Sequence, residues 1–123
     1  MKIQLPVYIE AGATTDETKY LAFDERYELK AVKVVGDAIA ADNTDYSILK
    51  VFGNDGSTEA FQWSTQDTAE GALTAGVPAD LVDQNSGKAL FDAKAIKITK
   101  THAGAGKAVA VMLILSLEQA RKY

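Results

Sequence analysis

The sequence of 123 residues predicts an all-β protein, a single-domain antiparallel β-sandwich of jelly-roll-like form with seven to eight short strands. Apolar and polar residues alternate with a period of two in most segments, and turn-forming Gly, Asn and Asp separate these segments. Helical signals are almost absent. Because parallel strands need crossover helices and the gaps contain none, we expect antiparallel pairing throughout.

The chain length fits one domain, residues 1–123, in which residues 1–10 form either an N-terminal arm or an edge strand. Pro6 favours the edge, because proline cannot donate a ladder hydrogen bond. A turn at 53–56 joins a predicted hairpin of 46–52 and 58–65. Further segments predict strands at 19–23 and 28–35, a short strand near Leu73 and Val77, and one helical turn at 78–84.

Residues 94–117 predict a closing hairpin, with strands 95–101 and 108–117 around a Gly-Ala-Gly turn. The second strand is apolar on both faces, since Ala110, Met112 and Ile114 alternate with Val and Leu. A small sandwich usually leaves one face of each sheet in water. We therefore expect the outer face of this strand to be covered, either within the fold or by another subunit.

Composition excludes several function classes. The chain has no Cys, which rules out disulfides and thiolate metal sites, and its net charge is −4. It shows neither a secretory leader nor an apolar run long enough for a membrane span. Nucleic-acid binding is not expected, because the nearest basic group does not share one strand face and is interpreted as solvated edge lysines: Lys94, Lys97, Lys100 and Lys107.

Two features near residue 104 bear on catalysis. The run Gly104–Ala108 approaches a phosphate-binding loop, but Thr101 replaces the first Gly and Ala108 replaces the hydroxyl that holds magnesium. A hairpin turn explains it better. Histidine exchanges protons at physiological pH, yet His102 has no nucleophile or acid in local register and is interpreted as a surface residue. We expect neither enzymatic activity nor a cofactor.

Two further groups leave alternatives open. A loop contains Asp37, Asp42, Asn43 and Asp45, whose oxygens suit either calcium or Asx turns, and the spacing does not match an EF-hand. Trp63 forms either a sugar-stacking platform with Tyr46 or Tyr20, or part of the core. Its alternation with Phe61 favours the core.

Three segments resemble the capsid decoration (head-cementing) proteins of tailed bacteriophages, of the small β-sandwich type. They are residues 29–56 (LKAVKVVGDAIAADNTDYSILKVFGNDG), 73–81 (LTAGVPADL) and 91–118 (FDAKAIKITKTHAGAGKAVAVMLILSLE). The resemblance implies a structural protein, made in the host cytoplasm and located on the outer capsid surface of the virion. It implies a homotrimer that bridges neighbouring major capsid subunits, with no nucleic acid or membrane as partner.

Interface residues are expected in two places. The N-terminal strand would add to a neighbouring sheet through Ile3, Leu5, Val7 and Tyr8. The acidic loop would contribute Asp42, Asn43 and Asp45. The alternative function is a carbohydrate-binding β-sandwich module of a phage tail or surface protein, suggested by the aromatic residues and the Asp-rich loop.

Overall fold

A computed structural model describes residues 2–53, 59–66, 72–84 and 90–119, and every regular element in them is a β-strand. No helix in these ranges is long and apolar enough to cross a membrane. The strands are β1 (Lys2–Ala11), β2 (Glu17–Gly36), β3 (Tyr46–Phe52), β4 (Glu59–Ser64), β5 (Ala79–Asp80), β6 (Val82–Asp83), β7 (Leu90–Ala103) and β8 (Val109–Gln119). The predicted all-β class is confirmed.

Strand β2 belongs to two sheets. Its residues 17–22 pair with β7 and its residues 31–36 pair with β8, while Tyr27 and Leu29 between them pair with both strands. The register breaks between Ala22 and Tyr27 and again before Ala31. Sheet I therefore has the order β1-β8-β2-β5, and sheet II has the order β2-β7-β3-β4-β6. The four and five strand segments form an antiparallel sandwich. The two strands predicted at 19–23 and 28–35 are thus one bent strand.

The strand order is that of a jelly roll. Chain-distant strands pair in nested fashion, β1 with β8, the first half of β2 with β7, its second half with β5, and β3 with β4. The two Greek keys that this nesting produces define the jelly-roll sandwich. The pairing of β3 with β4 confirms the predicted hairpin, although its turn lies largely outside the described residues.

The predicted closing hairpin is wrong. Strand β7 pairs with β2 and β3 in sheet II, whereas β8 pairs with β1 and β2 in sheet I. The turn between them carries the chain from one sheet to the other, with Gly104 and Gly106 at φ values of 62° and 68°. The alternation of apolar and polar residues identifies the two faces of a strand but not the strand that pairs with it, and this explains the wrong prediction.

The helical turn predicted at 78–84 is also wrong. Strand β5 lies on the edge of sheet I and β6 on the edge of sheet II, so this segment closes one side of the sandwich. The amide of Leu81 donates to Val32 O (2.9 Å), and that of Gln84 donates to Ala60 O (2.8 Å). Partners from other strands replace the local hydrogen bonds of a helix. Val77 lies outside any strand, and Leu73 forms only an isolated bridge with Ile39.

The core lies between the two sheets and is built from the inward-facing positions. In β8 these positions alternate strictly with the outer ones. The most buried side chains are large and apolar, and they come from both sheets: Leu29, Val32, Val34, Leu49, Val51, Trp63, Ile96, Ile98, Val111, Leu113 and Leu115. Burial of each large side chain contributes about 1.5–3 kcal/mol.

Leu113→Ala should lower the free energy of unfolding by about 2–5 kcal/mol, because it leaves a cavity in a fully buried part of β8. Met112→Ala, one residue earlier on the outer face, is the matched control and should cost less than half as much. Urea unfolding followed by far-UV circular dichroism measures both. Equal losses would contradict the assignment of inner and outer faces.

Candidate functional site

Three loops meet at one end of the sandwich, which we call the loop end. They are Gly12–Asp16 after β1, residues 37–45 after β2, and residues 104–108 after β7. The amide of Ala105 donates to Asp45 Oδ1 (2.7 Å), which joins the second loop to the third. Most candidate residues of the sequence lie here, so the loop end is the first place to look for a site.

Lys100 joins β7 to the first loop. Its side chain is 1% exposed, and Nζ donates to the carbonyl oxygens of Gly12 (2.8 Å), Ala13 (2.9 Å) and Thr15 (2.9 Å). An ammonium group has three N–H donors, and here each donor has a carbonyl acceptor. Burial lowers the pKa of Lys100, and the negative charge of Asp16 opposes this shift.

Lys100 is therefore not a solvated edge lysine, and that part of the sequence interpretation is wrong. It lies in the inward phase of β7, opposite Leu49 of β3 and Glu17 of β2. The sequence did carry a signal for this inward direction, because Lys100 continues the alternation of Ile96 and Ile98. A lysine in a core phase needs acceptors, and here a loop more than eighty positions away supplies them.

The turn after β7 is packed too tightly for a phosphate. A Cβ on Gly106 would overlap Ala13 O, and a Cβ on Gly104 would overlap Thr44 O and the Asp45 carboxylate. The amide of Gly106 donates to Ala103 O (3.0 Å), and that of Lys107 donates to Ser47 Oγ (2.9 Å). These donors are used within the chain, which supports the interpretation as a turn.

His102 has an acidic partner that the local sequence does not reveal. Its Nδ1 lies 2.6 Å from Asp16 Oδ1. Ser47 lies opposite it in the ladder, but the Ser47 hydroxyl donates to Lys107 O (2.7 Å). Within the described residues, no nucleophile is seen hydrogen-bonded to the imidazole. The His102–Asp16 pair therefore links the first loop to β7. It lacks the hydrogen-bonded nucleophile that would complete a catalytic triad.

The acidic loop is held by its own backbone. Asp42 Oδ1 accepts from the amides of Asp45 (3.0 Å) and Thr44 (2.9 Å), and these bonds, with that of Asp45 first, lower the pKa of Asp42. Asn43 Oδ1 accepts from Gln66 Nε2 (3.2 Å). Among the described residues, no three acidic, His or Cys side chains converge as metal ligands. The contacts favour Asx turns over calcium.

The N-terminal strand offers less contact surface than predicted. Val7 is 7% exposed and belongs to the core, and Ile3 and Leu5 pack against that core. These three side chains lie in the inward phase of β1, although Ile3 and Leu5 are only half-buried. Tyr8 points the other way and is 48% exposed. Of the four predicted interface residues in this strand, the structure places only Tyr8 on the outer face of sheet I.

Strand β1 is also a poor template for strand addition. It ends the order of sheet I and pairs with β8 along its whole length, from Lys2 to Ala11, so it is an edge strand and not a loose arm. Lys19 Nζ donates to Tyr8 O (2.8 Å), which shows that Tyr8 turns its backbone to the free edge. Pro6 has the same orientation and lacks an N–H. These two features block the edge.

An accessible surface remains on the outer face of sheet I. Tyr8 pairs with Met112, which also pairs with Val35, so these three side chains form one row across the sheet. The neighbouring row contains Pro6, Ile114 and the exposed Lys33. Met112, Val35 and Ile114 are half-buried. No other strand in the described parts of the chain covers this face, which makes it a candidate contact surface.

Trp63 does not form a sugar platform. It is 1% exposed and faces Leu49 across the β3–β4 ladder, so the interpretation as core is confirmed. Tyr46 is half-buried. Tyr20, at 70% exposure, stands on the outer face of sheet II.

Lys100→Met should lower the free energy of unfolding by about 2–4 kcal/mol, because it leaves three carbonyl oxygens of the first loop without a donor. Lys33→Met is the control, because Lys33 is exposed and its Nζ lies 3.7 Å from Asp80 Oδ1. Such surface ion pairs contribute about 0–1 kcal/mol to stability. Urea unfolding measures both variants. A Lys100→Met protein as stable as the control would contradict the structural role.

Acid should weaken the Asp42 turn. Because folding lowers the pKa of Asp42 below its ordinary value of 3.8, its contribution is present above that pH and is lost as pH falls through the folded pKa. Asp42→Asn keeps an acceptor oxygen but cannot gain a proton, so it should show a weaker acid dependence between pH 5 and pH 2. Asp42→Ala should be destabilised throughout. The midpoint of urea unfolding, measured at several pH values in this range, tests the prediction. The same decrease of the midpoint with falling pH in wild type and Asp42→Asn would refute it.

No known family can be assigned to this chain. Comparison with protein-family models, curated proteins and solved structures finds no match to this chain. The resemblance to capsid decoration proteins therefore rests on the sequence segments alone. Function has to be argued from those segments and from the surfaces that the fold leaves accessible.

Proposed function

We propose that the protein is a structural virion protein that binds the outer surface of a phage capsid and stabilises contacts between major capsid subunits. The observation that carries this proposal is the uneven distribution of accessible groups. At the loop end, Lys100, His102, Asp42 and Asp45 are engaged within the chain. The outer face of sheet I instead presents Tyr8 beside half-buried apolar residues. The capsid as partner comes from the sequence resemblance.

Docking through a sheet face suits a cementing role. The face is carried by strands paired on both sides in β8 and β2, so little backbone freedom is lost when it meets a partner. Tyrosine is enriched among the residues that dominate binding energy. In the proposed homotrimer, three such faces bind together, and simultaneous contacts raise the overall affinity well above that of one face.

The carbohydrate-binding alternative now depends on Tyr20. In sheet II, Tyr20 lies beside Lys97, and Lys97 lies beside Phe52, with Nζ 5.1 Å from the centre of the Phe52 ring. An exposed tyrosine on a sheet face supports stacking against a sugar ring. This alternative predicts a function on sheet II, whereas capsid binding predicts one on sheet I.

The two exposed tyrosines separate these proposals. Tyr8→Ala should weaken co-sedimentation with empty expanded heads from the source phage about 30-fold, as expected for a dominant contact residue. Tyr20→Ala, on the opposite sheet, should bind heads as the wild type does. Light scattering of the free protein should give the mass of a trimer.

Failure of the wild-type protein to sediment with heads at micromolar concentration would remove the capsid proposal. Binding to a glycan array that Tyr20→Ala abolishes and Tyr8→Ala leaves intact would establish the alternative. Equal effects of both variants on head binding would contradict docking through sheet I.

A further inference from the structure

A groove of about 330 Å³ lies where the outer face of sheet I meets the loop end. It runs between the end of β1 and the segment that follows β2, with the start of β8 beneath it. Its principal lining residues are Glu10, Asp37, Ala38, Ile39, Ala108 and Ala110.

Small residues form the floor of this groove. Glu10 pairs with Ala110 across the β1–β8 ladder, and on the other side of β8 Gly36 pairs with Val111. A Cβ on Gly36 would lie 2.9 Å from Ala110 O, so β2 and β8 approach closely here. The floor of the groove is therefore formed by small apolar residues, and the longer side chains of Glu10 and Asp37 stand on either side of it.

The charges around the groove have a single sign. Glu10 and Asp37 are the charged residues among those that line it, and both are exposed acids. In the described part of the chain, neither takes part in an ion pair or side-chain hydrogen bond. They flank one central strand, so their backbones are about 10 Å apart, from two strand spacings of ~4.8 Å.

A second groove on the same sheet lacks this character. It has a volume of about 580 Å³ and lies at the far end, lined by residues that include Lys2, Lys30 and Glu118. Both signs of charge are present there, and Lys30 already pairs with Glu28. Of these two grooves, the one at the loop end is therefore the one that combines net negative charge with an apolar floor.

We propose that the groove between Glu10 and Asp37 receives a lysine or arginine side chain of a partner protein. The methylene stem of such a side chain would lie on Ala110 and Ala108, with the cationic head between the two carboxylates. Long basic side chains bury their stems on apolar surface while the charge stays near water and acids. No triad of metal ligands occurs in the described residues, which disfavours a bare cation.

Tyr8 makes the groove part of a larger contact surface. It lies two residues before Glu10 on the same face of β1, about 7 Å away along the strand. A partner would therefore place an apolar side chain on the row of Tyr8 and Met112 and a basic one in the groove. The inference rests on the proposed function only for the identity of that partner, a capsid subunit.

The first experiment uses defined probes and the isotope-labelled full chain. N-acetyl-lysine methylamide and its arginine counterpart should shift the amide resonances of Ile39, Val109 and Ala110 at millimolar concentration. N-acetyl-norleucine methylamide has the stem without the charge and should bind at least tenfold more weakly. The double variant Glu10→Gln/Asp37→Asn should lose the lysine response. The control Glu25→Gln/Asp80→Asn, with the same change in net charge at exposed positions, should retain it.

Several results would overturn the inference. They are an absence of shifts at these amides, equal binding of norleucine and lysine probes, and a lysine response that survives in the double variant. Calcium or magnesium alone giving the same shifts would assign the groove to a metal. Self-association of the wild type that only Glu10→Gln/Asp37→Asn abolishes would assign it to a second copy of this chain.

Head binding separates this inference from the proposed function. If wild type and Glu10→Gln/Asp37→Asn sediment equally with heads, the groove does not receive a capsid side chain, and the inference fails while capsid binding stands. If the lysine probe binds and the double variant loses it, but heads are ignored, the groove inference is supported and the capsid proposal fails. A tenfold or greater loss of head binding in the double variant alone supports both.

Discussion

The ammonium group of Lys100 is the contact on which the loop end depends. It lies at the end of the core, where a charge without hydrogen bonds would be costly to bury. Three carbonyls of the loop Gly12–Asp16 satisfy it, and this fixes the loop over β7. The fixed loop then places Asp16 beside His102 and Ala13 against Gly106. Because β7 and β8 lie in different sheets, these contacts also support the turn that joins them.

Much of the fold was predictable from the sequence because alternation reports which side of a strand faces the core. The edge strand within residues 1–10, the β3–β4 hairpin and the burial of Trp63 all follow from local patterns. Strand partners do not. Whether β8 pairs with β7 or with β1 depends on contacts between distant parts of the chain, and a Gly-rich turn suits both arrangements.

The site was less predictable, for the same reason. The acceptors of Lys100 and the partner of His102 come from one loop that lies more than eighty residues earlier in the sequence. A lysine in phase with Ile96 and Ile98 indicates an inward direction but not what it meets there. Likewise, nothing in the sequence relates Glu10 to Asp37, and the two acids become neighbours of one groove only through the positions of β1 and β2 beside β8.

The edges of both sheets explain why contacts with other molecules should use a face. Strands β5 and β6 are two residues each, too short to template a long added strand. On the opposite side, Lys19 spans from β2 to Tyr8 O of β1, and Pro6 removes a donor from the same edge. Extended strand addition is thus disfavoured at three of the edges, and at the fourth Lys19 and Glu17 place charges beside the backbone.

With its sheet edges blocked, the chain would meet the proposed partner through side chains. On the outer face of sheet I, those side chains are arranged by the ladder: the row of Tyr8, Met112 and Val35 is apolar, and the next level toward the loop end is acidic at Glu10 and Asp37. In the proposed contact, apolar groups would supply most of the affinity. The acidic level would set the orientation, because a partner turned around would place its basic residue away from both carboxylates. The Lys100 contact at the loop end stabilises this arrangement indirectly, since it anchors the loop that follows Glu10 and so limits movement of the groove wall.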